Sequence, residues 1–259
     1  MKAWRFIPLD VKNGSWNMAI DEAILTSVIE KKSSNTLRFY KWDPSTASLG
    51  RNQSLSEEVN EEFCKQKNYN IVRRITGGGA VFHDRDNEIT YSIICPLSFL
   101  KSKGSYKVLD QFELITQGIV AGLSKYGLKS QKGVIHCPAL FLDGKKFSGN
   151  AQIRRKGFLL QHGTILMDLD PDLMYTVLKT PENVSKSRMV RSVRAKCIGI
   201  KSQLEQYDEK KFIECLKIGF KETLDIKLYK GALTSYEYKL AEKLVNEKYR
   251  NQKWLKKYE

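Results

Sequence analysis

Residues 73–84 read Arg73-Arg74-Ile75-Thr76-Gly77-Gly78-Gly79-Ala80-Val81-Phe82-His83-Asp84. Three consecutive glycines let a backbone approach a ligand closely and turn its N–H groups toward an anion. The two arginines before them carry fork-shaped donors suited to carboxylate or phosphate. The plainer alternative is a glycine-rich hairpin with arginines on its exposed edge. No Gly-Lys-Ser/Thr follows, so the stretch is not a Walker loop. Its glycine spacing and its neighbours do not give strand–turn–helix, which excludes a dinucleotide-binding fingerprint. The glycines instead follow a short strand, Ile71 to Arg74, and precede a strand rich in Ile, Thr and Tyr from Glu88 to Cys95.

Working outward, Thr36 to Trp42 reads as a strand, Asp43-Pro44-Ser45 as a turn, and Thr46 to Gly50 as a paired strand. Nearer the start, Trp16, Ala19, Ile20, Ala23, Ile24 and Val28 have helical spacing behind a cap at Ser15 or Asn17. On the other side, Leu109, Phe112, Ile115, Ile119 and Leu123 mark a long amphipathic helix stopping near Gly127. Leu140 to Leu142, Lys146 to Ile153 and Phe158 to Met167, joined at Asp143-Gly144 and Arg155-Lys156-Gly157, predict a three-strand meander. Helices are predicted after Asp170-Pro171, from Asp208 to Leu224, and from Ser235 to about Lys253. This pattern predicts an α+β fold with a mixed, mostly antiparallel sheet, in one domain spanning 1–259.

The chain has 259 residues, and 44 Lys+Arg against 29 Asp+Glu give a formal charge of 44 − 29 = +15. Its start, interrupted by Lys2, Arg5 and Asp10, does not read as a signal peptide, and no apolar run is long enough to span a membrane. Cysteines 64, 95, 137, 197 and 215 are odd in number and show no paired spacing, so neither a disulfide framework nor a zinc site is expected. A cytoplasmic location is the expectation. Between Asn183 and Leu204 there are six basic residues and no acidic one, a field that attracts nucleic acid, a nucleotide or an acidic protein. Nucleic-acid motifs do not accompany it, so nucleic acid is not expected as the main partner.

A second chemical stretch runs Asp143-Gly144-Lys145-Lys146-Phe147-Ser148-Gly149-Asn150-Ala151-Gln152. Strand alternation sends Lys145 and Lys146 to opposite faces, so one of them can reach a ligand and stabilise developing negative charge. His162, in Gln161-His162-Gly163-Thr164, reads as a satisfied core histidine.

Three ordered segments, Asn17-Met18-Ala19-Ile20-Asp21-Glu22-Ala23, Arg73 to Asp84, and Gly144 to Gln152, resemble the lipoate–protein ligase A family. That family lies within the biotin/lipoate ligase and octanoyltransferase superfamily, and Leu160 to Leu166, Lys248-Tyr249 and Trp254 extend the likeness over the chain. The resemblance implies a class II synthetase-like fold and two-step chemistry. Lipoate (or octanoate) is activated by ATP with Mg²⁺ to an acyl-adenylate, then passed to a lysine of an acceptor. It also implies that Arg73, Gly77, Gly78, Gly79, Ala80 and Val81 bind nucleotide and acyl group, that His83 and Asp84 shape the loop, and that Lys146 is catalytic. The implied partners are acidic lipoyl acceptor domains (E2 subunits, the glycine-cleavage H protein or an H-like protein) and a separate small accessory subunit.

One departure bears on chemistry. Ligases of the family carry an Asn-Asp pair before the lysine hairpin, where this chain has Pro138-Ala139. The rival within the same fold is an ATP-independent octanoyl- or lipoyltransferase with a cysteine thioester, for which Cys137, beside His136, is the candidate nucleophile. Gly79 and the Ala-Val-Phe-His after it resemble ligases, so the sequence favours a ligase, in which Cys137 has no chemical duty. A non-catalytic acyl-binding relative is the third reading. Biotin ligase is disfavoured because its Gly-Arg-Gly-Arg signature is missing at Gly50-Arg51-Asn52.

Overall fold

A computed structural model describes residues 3–133 and 138–259. In chain order it contains β1 (Ala3–Lys12), α1 (Gly14–Ile29), β2 (Thr36–Trp42), β3 (Thr46–Leu49), α2 (Leu55–Glu58), α3 (Glu61–Gln66) and β4 (Asn70–Arg73). Next come β5 (Val81–His83), β6 (Glu88–Pro96), α4 (Leu97–Ser102), α5 (Val108–Tyr126), β7 (Ser130–Lys132), β8 (Leu140–Leu142) and β9 (Lys145–Ser148). Then follow β10 (Asn150–Arg155), β11 (Phe158–Leu166), α6 (Pro171–Val177), α7 (Lys186–Lys196), α8 (Glu209–Thr223), β12 (Lys227–Lys230), α9 (Ser235–Leu244) and α10 (Gln252–Leu255).

Six strands form the main sheet in the order β10-β11-β6-β2-β1-β12. β1 runs parallel to β2 and β12, and the other neighbours are antiparallel, which makes the sheet mixed. Strand periodicity sorts its side chains into two cores. Leu37, Phe39 and Ile93 pack with Ile119, Leu216 and Phe220 of α5 and α8. Tyr40, Trp42, Ile94 and Leu160 pack with Ile20 and Ile24 of α1 and with Ala241 of α9. Helices on both faces explain why β6 is buried along nearly its whole length. Among the described residues no helix is long and apolar enough to cross a membrane.

Four sequence expectations need correction. The cap of α1 is Asn13, whose side chain accepts from Trp16 N, because Asn17 is instead buried and donates to Lys12 O and Lys41 O. β3 does not pair with β2; it lies between β4 and β5 in a separate three-stranded sheet. The predicted meander is split at Gly149: β9 stays with β7 and β8, while β10 crosses into the main sheet. The last predicted helix breaks into α9, a π-helical turn over Val245–Tyr249, and α10.

Candidate active site

The glycine loop leaves β4 and enters β5 beside a cavity of about 350 Å³. Main-sheet strands β6, β10 and β11 form one wall, the loop and β5 a second, and Lys146 of β9 with Val193 and Cys197 a third. Loop shape depends on Arg74, which is 5% exposed. Its Nη2 donates to Gly77 O (2.9 Å) and Gly79 O (2.7 Å), while Nη1 donates to Ser48 O (2.9 Å) and Ser48 Oγ (3.1 Å). A trans peptide sets its N–H opposite its carbonyl, so the N–H groups of Gly78 and Ala80 are directed away from the guanidinium. Both residues line the cavity. Burial pushes the Arg74 guanidinium down to about 10, so it is still a cation at neutral pH, and its neutral partners leave the charge uncompensated.

Two glycines are required by geometry. Gly78 has φ +95°, a conformation side chains rarely adopt, and its carbonyl sits where a Cβ on Gly50 would be, 1.8 Å away. At Gly77 and Gly79 an added Cβ would meet no protein atom within 4 Å.

Lys146 lines the cavity, as the strand alternation requires of one of the two hairpin lysines. Its backbone carbonyl accepts from Ile198 N (3.0 Å), and a bridge to Cys197 ties β9 to the end of α7. A Cβ on Gly149 would lie 3.5 Å from Lys146 Nζ, so the ammonium crosses over that glycine. Among the described residues no carboxylate pairs with Lys146, and none lines the cavity.

Nearby carboxylates are held behind the walls. Asp21 accepts from Arg38 Nη1 (2.9 Å), Tyr40 OH (3.0 Å) and Ser92 Oγ (3.0 Å), and it faces His162 Nδ1 at 3.3 Å. Burial alone would raise its pKa, but the His162 hydrogen bond and the Arg38 charge outweigh it and hold the carboxyl below its ordinary value. Burial lowers the pKa of His162, so the ring is neutral at pH 7. Its Nδ1–H then donates to Asp21, and Nε2 accepts from Thr76 Oγ1 (2.7 Å). His83 stacks on Trp42 at 4.0 Å, and its Nε2 meets Ser48 Oγ at 2.8 Å and its Nδ1 Glu88 Oε1 at 2.7 Å.

The structure gathers Gly78, Gly79, Ala80, Val81, His83 and Lys146 around one cavity. It does not place Arg73, expected to bind ligand, in the lining of that cavity. The Arg73 guanidinium is enclosed by carbonyls: Nε donates to Trp254 O and Leu255 O, Nη2 to Leu255 O, and Nη1 to Gly50 O, Arg51 O and Gln53 O. Gly77 and Asp84 also lie outside the lining; Asp84 Oδ1 accepts from Asp86 N and shapes the next turn. Cys137 lies outside the described residues. Pro138, next in the chain, is tied to a residue that lines the cavity: Asn150 Nδ2 donates to its carbonyl at 2.5 Å. Asn150 Oδ1 in turn accepts from Tyr91 OH (2.6 Å). Ser48, Trp42 and Cys197 belong to no motif and reach the cavity only through the tertiary fold, whereas Asn150 lies within the Gly144 to Gln152 stretch.

A buried cation, a glycine loop, a largely apolar lining and a lysine without a carboxylate partner among the described residues thus meet at one cavity. A family profile described as lipoyl protein ligase A/B catalytic domain matches residues 13–221. The chain is similar to proteins named octanoyltransferase LipM. That of Brevibacillus brevis is 36% identical over 98% of this chain and 99% of its own length. That of Bacillus subtilis is 32% identical over 98% of both. A solved structure of lipoate-protein ligase A bound with ATP has TM-score 0.84, 26% identity and full coverage of both chains. The bipartite lipoate protein ligase of Thermoplasma acidophilum has TM-score 0.85 and 25% identity, over 100% of this chain and 98% of that one. This chain belongs to the lipoyl protein ligase A/B catalytic domain family, and its fold is the one shared by lipoate-protein ligase A.

Proposed function

We propose that the protein is an octanoyltransferase: it takes an octanoyl group from a carrier thioester, holds it on Cys137, and passes it to a lysine of a lipoyl acceptor domain. The observation that carries this reading over an ATP-dependent ligase is the likeness to octanoyltransferases at 32–36% identity across nearly the whole chain. The cavity agrees with it. A magnesium nucleotide favours carboxylate oxygens, and no carboxylate lines the cavity among the described residues. The ligase-like Gly79 to His83 does not argue against it, because a glycine loop and a lysine stabilise oxyanions in either chemistry. The Pro138-Ala139 departure removes a feature of the adenylate site and leaves the thioester route intact.

In this mechanism the Cys137 thiol gives up its proton and attacks the carrier's thioester carbonyl; the carrier's C–S bond breaks and its thiolate leaves, taking up the proton that Cys137 released. The acceptor lysine, as free amine, then attacks the enzyme thioester. An amide bond forms, the C–S bond breaks, and the amine proton passes to the departing Cys137 sulfur. Lys146 and the N–H groups of the glycine loop stabilise the oxyanion of both tetrahedral intermediates. Free octanoate with ATP should give no product, whereas octanoyl carrier protein without nucleotide should modify the apo acceptor. Product only with ATP and free acid would establish the ligase instead.

A further inference from the structure

α7 has two faces with different chemistry. Val190, Val193 and, just beyond the helix, Cys197 recur at helical spacing on the inward side, and Val193 and Cys197 line the cavity. The outward side carries Arg188, Arg191 and Lys196, all exposed. The helix contains five basic residues and no acidic one. Among the described residues, only Arg194 has a carboxylate partner, Asp172 of α6; Lys186 is held by Thr176 Oγ1 at 2.5 Å. The outward cations therefore form an uncompensated positive stripe roughly 12 Å long, at about 1.5 Å per residue.

We infer that the outward face of α7 is the docking surface for an acidic protein domain that presents its lysine to the cavity. Three observations favour this partner. The stripe lies on the helix whose inward side, at Val193 and Cys197, lines the cavity, so a body bound there stands beside the cavity wall. The helix is fastened to β9 through Cys197 and Ile198, so docking bears on the strand that carries Lys146. The helix has no aromatic side chain on which a nucleic-acid base could stack, so its charge suits a carboxylate-rich protein surface better than a single strand. Charge complementarity of this kind sets encounter rate and orientation, and salt screens it.

The inference rests on the transferase reading, and the test separates the two. The double variant Arg188→Glu/Arg191→Glu and the wild type are compared in two assays. The first is self-acylation by octanoyl-N-acetylcysteamine, a small neutral donor that needs no docking face; the second is transfer to an acidic apo lipoyl domain. The variant should self-acylate at the wild-type rate, with KM for the acceptor raised about tenfold or more, kcat little changed, and the salt dependence of kcat/KM flattened. Reversing two acidic residues on the acceptor to lysine should restore part of the loss. An unchanged acceptor KM in a normally self-acylating variant overturns the docking surface. Loss of duplex-DNA binding with an unchanged acceptor KM does the same and assigns the stripe to nucleic acid. Failure of the wild type to self-acylate counts against the transferase reading itself.

Discussion

At the scale of single residues, Arg73 and Arg74 are neighbours with opposite surroundings. Arg73 gathers carbonyls from the tail and from residues 50–53, while Arg74 gathers those of the glycine loop and faces the cavity. Alternation along β4 requires that they differ, but it does not say which faces the site; the packing of distant residues 254 and 255 decides that. Lys146 was readable because its hairpin motif is local. Replacing it with alanine should lower turnover about 10²–10³-fold, the usual cost of one oxyanion donor, with stability changed by less than about 1 kcal/mol. Stopped or burst kinetics together with a thermal melt check both parts. Asp21 is a structural counterpart. Its carboxyl is held below the ordinary value of 3.8, so its stabilising contribution is complete above that pH and is lost as pH falls through the lower folded pKa. Asp21→Asn should cost about 3–5 kcal/mol at pH 7, because Arg38 is left buried without its counter-charge. Urea midpoints should show the gap from wild type narrowing as pH falls below 3.8; a gap independent of pH would contradict the assignment.

At the scale of elements, regular periodicity predicted α1, β2, β6, α5 and α8 well, because each has a long apolar pattern. It failed where pattern gives way to contact. The Gly149 break sends β10 into another sheet, and α7, with only a narrow apolar stripe, stands out in the sequence only as a run of basic residues. The tail is another such case. Trp254 Nε1 donates to Arg73 O (2.8 Å) while Arg73 donates back to Trp254 O and Leu255 O, so a segment remote in sequence staples the base of the glycine loop. Trp254→Ala should destabilise the protein by about 1–3 kcal/mol and raise KM for the acyl donor more than it lowers kcat, since the loop's support goes while Lys146 stays. Gly50→Ala should act on the same loop from the other side. Its Cβ would meet Gly78 O at 1.8 Å, so the loop must shift, at a cost of about 1–3 kcal/mol in stability and most of the activity. Denaturant titration and initial-rate kinetics on both variants check these outcomes; a fully active Gly50→Ala would show that the Gly78 carbonyl position is unimportant.

At the scale of the whole molecule, one sheet joins residues from Ala3 to Lys230 and supplies one wall of the cavity. The motifs made the superfamily legible in the sequence, but they did not order its two chemistries, because the same oxyanion-stabilising parts serve an adenylate and a thioester. That order rests on whether Cys137 carries the acyl group. The most direct measurement is intact-mass spectrometry of the protein incubated with octanoyl carrier protein in the absence of nucleotide, followed by addition of apo acceptor domain. The account predicts one octanoyl adduct, labile to hydroxylamine, mapped to Cys137, absent from Cys137→Ser, and discharged onto the acceptor lysine. An unmodified protein that transfers octanoate only when ATP is supplied, with Cys137→Ser fully active, would contradict it.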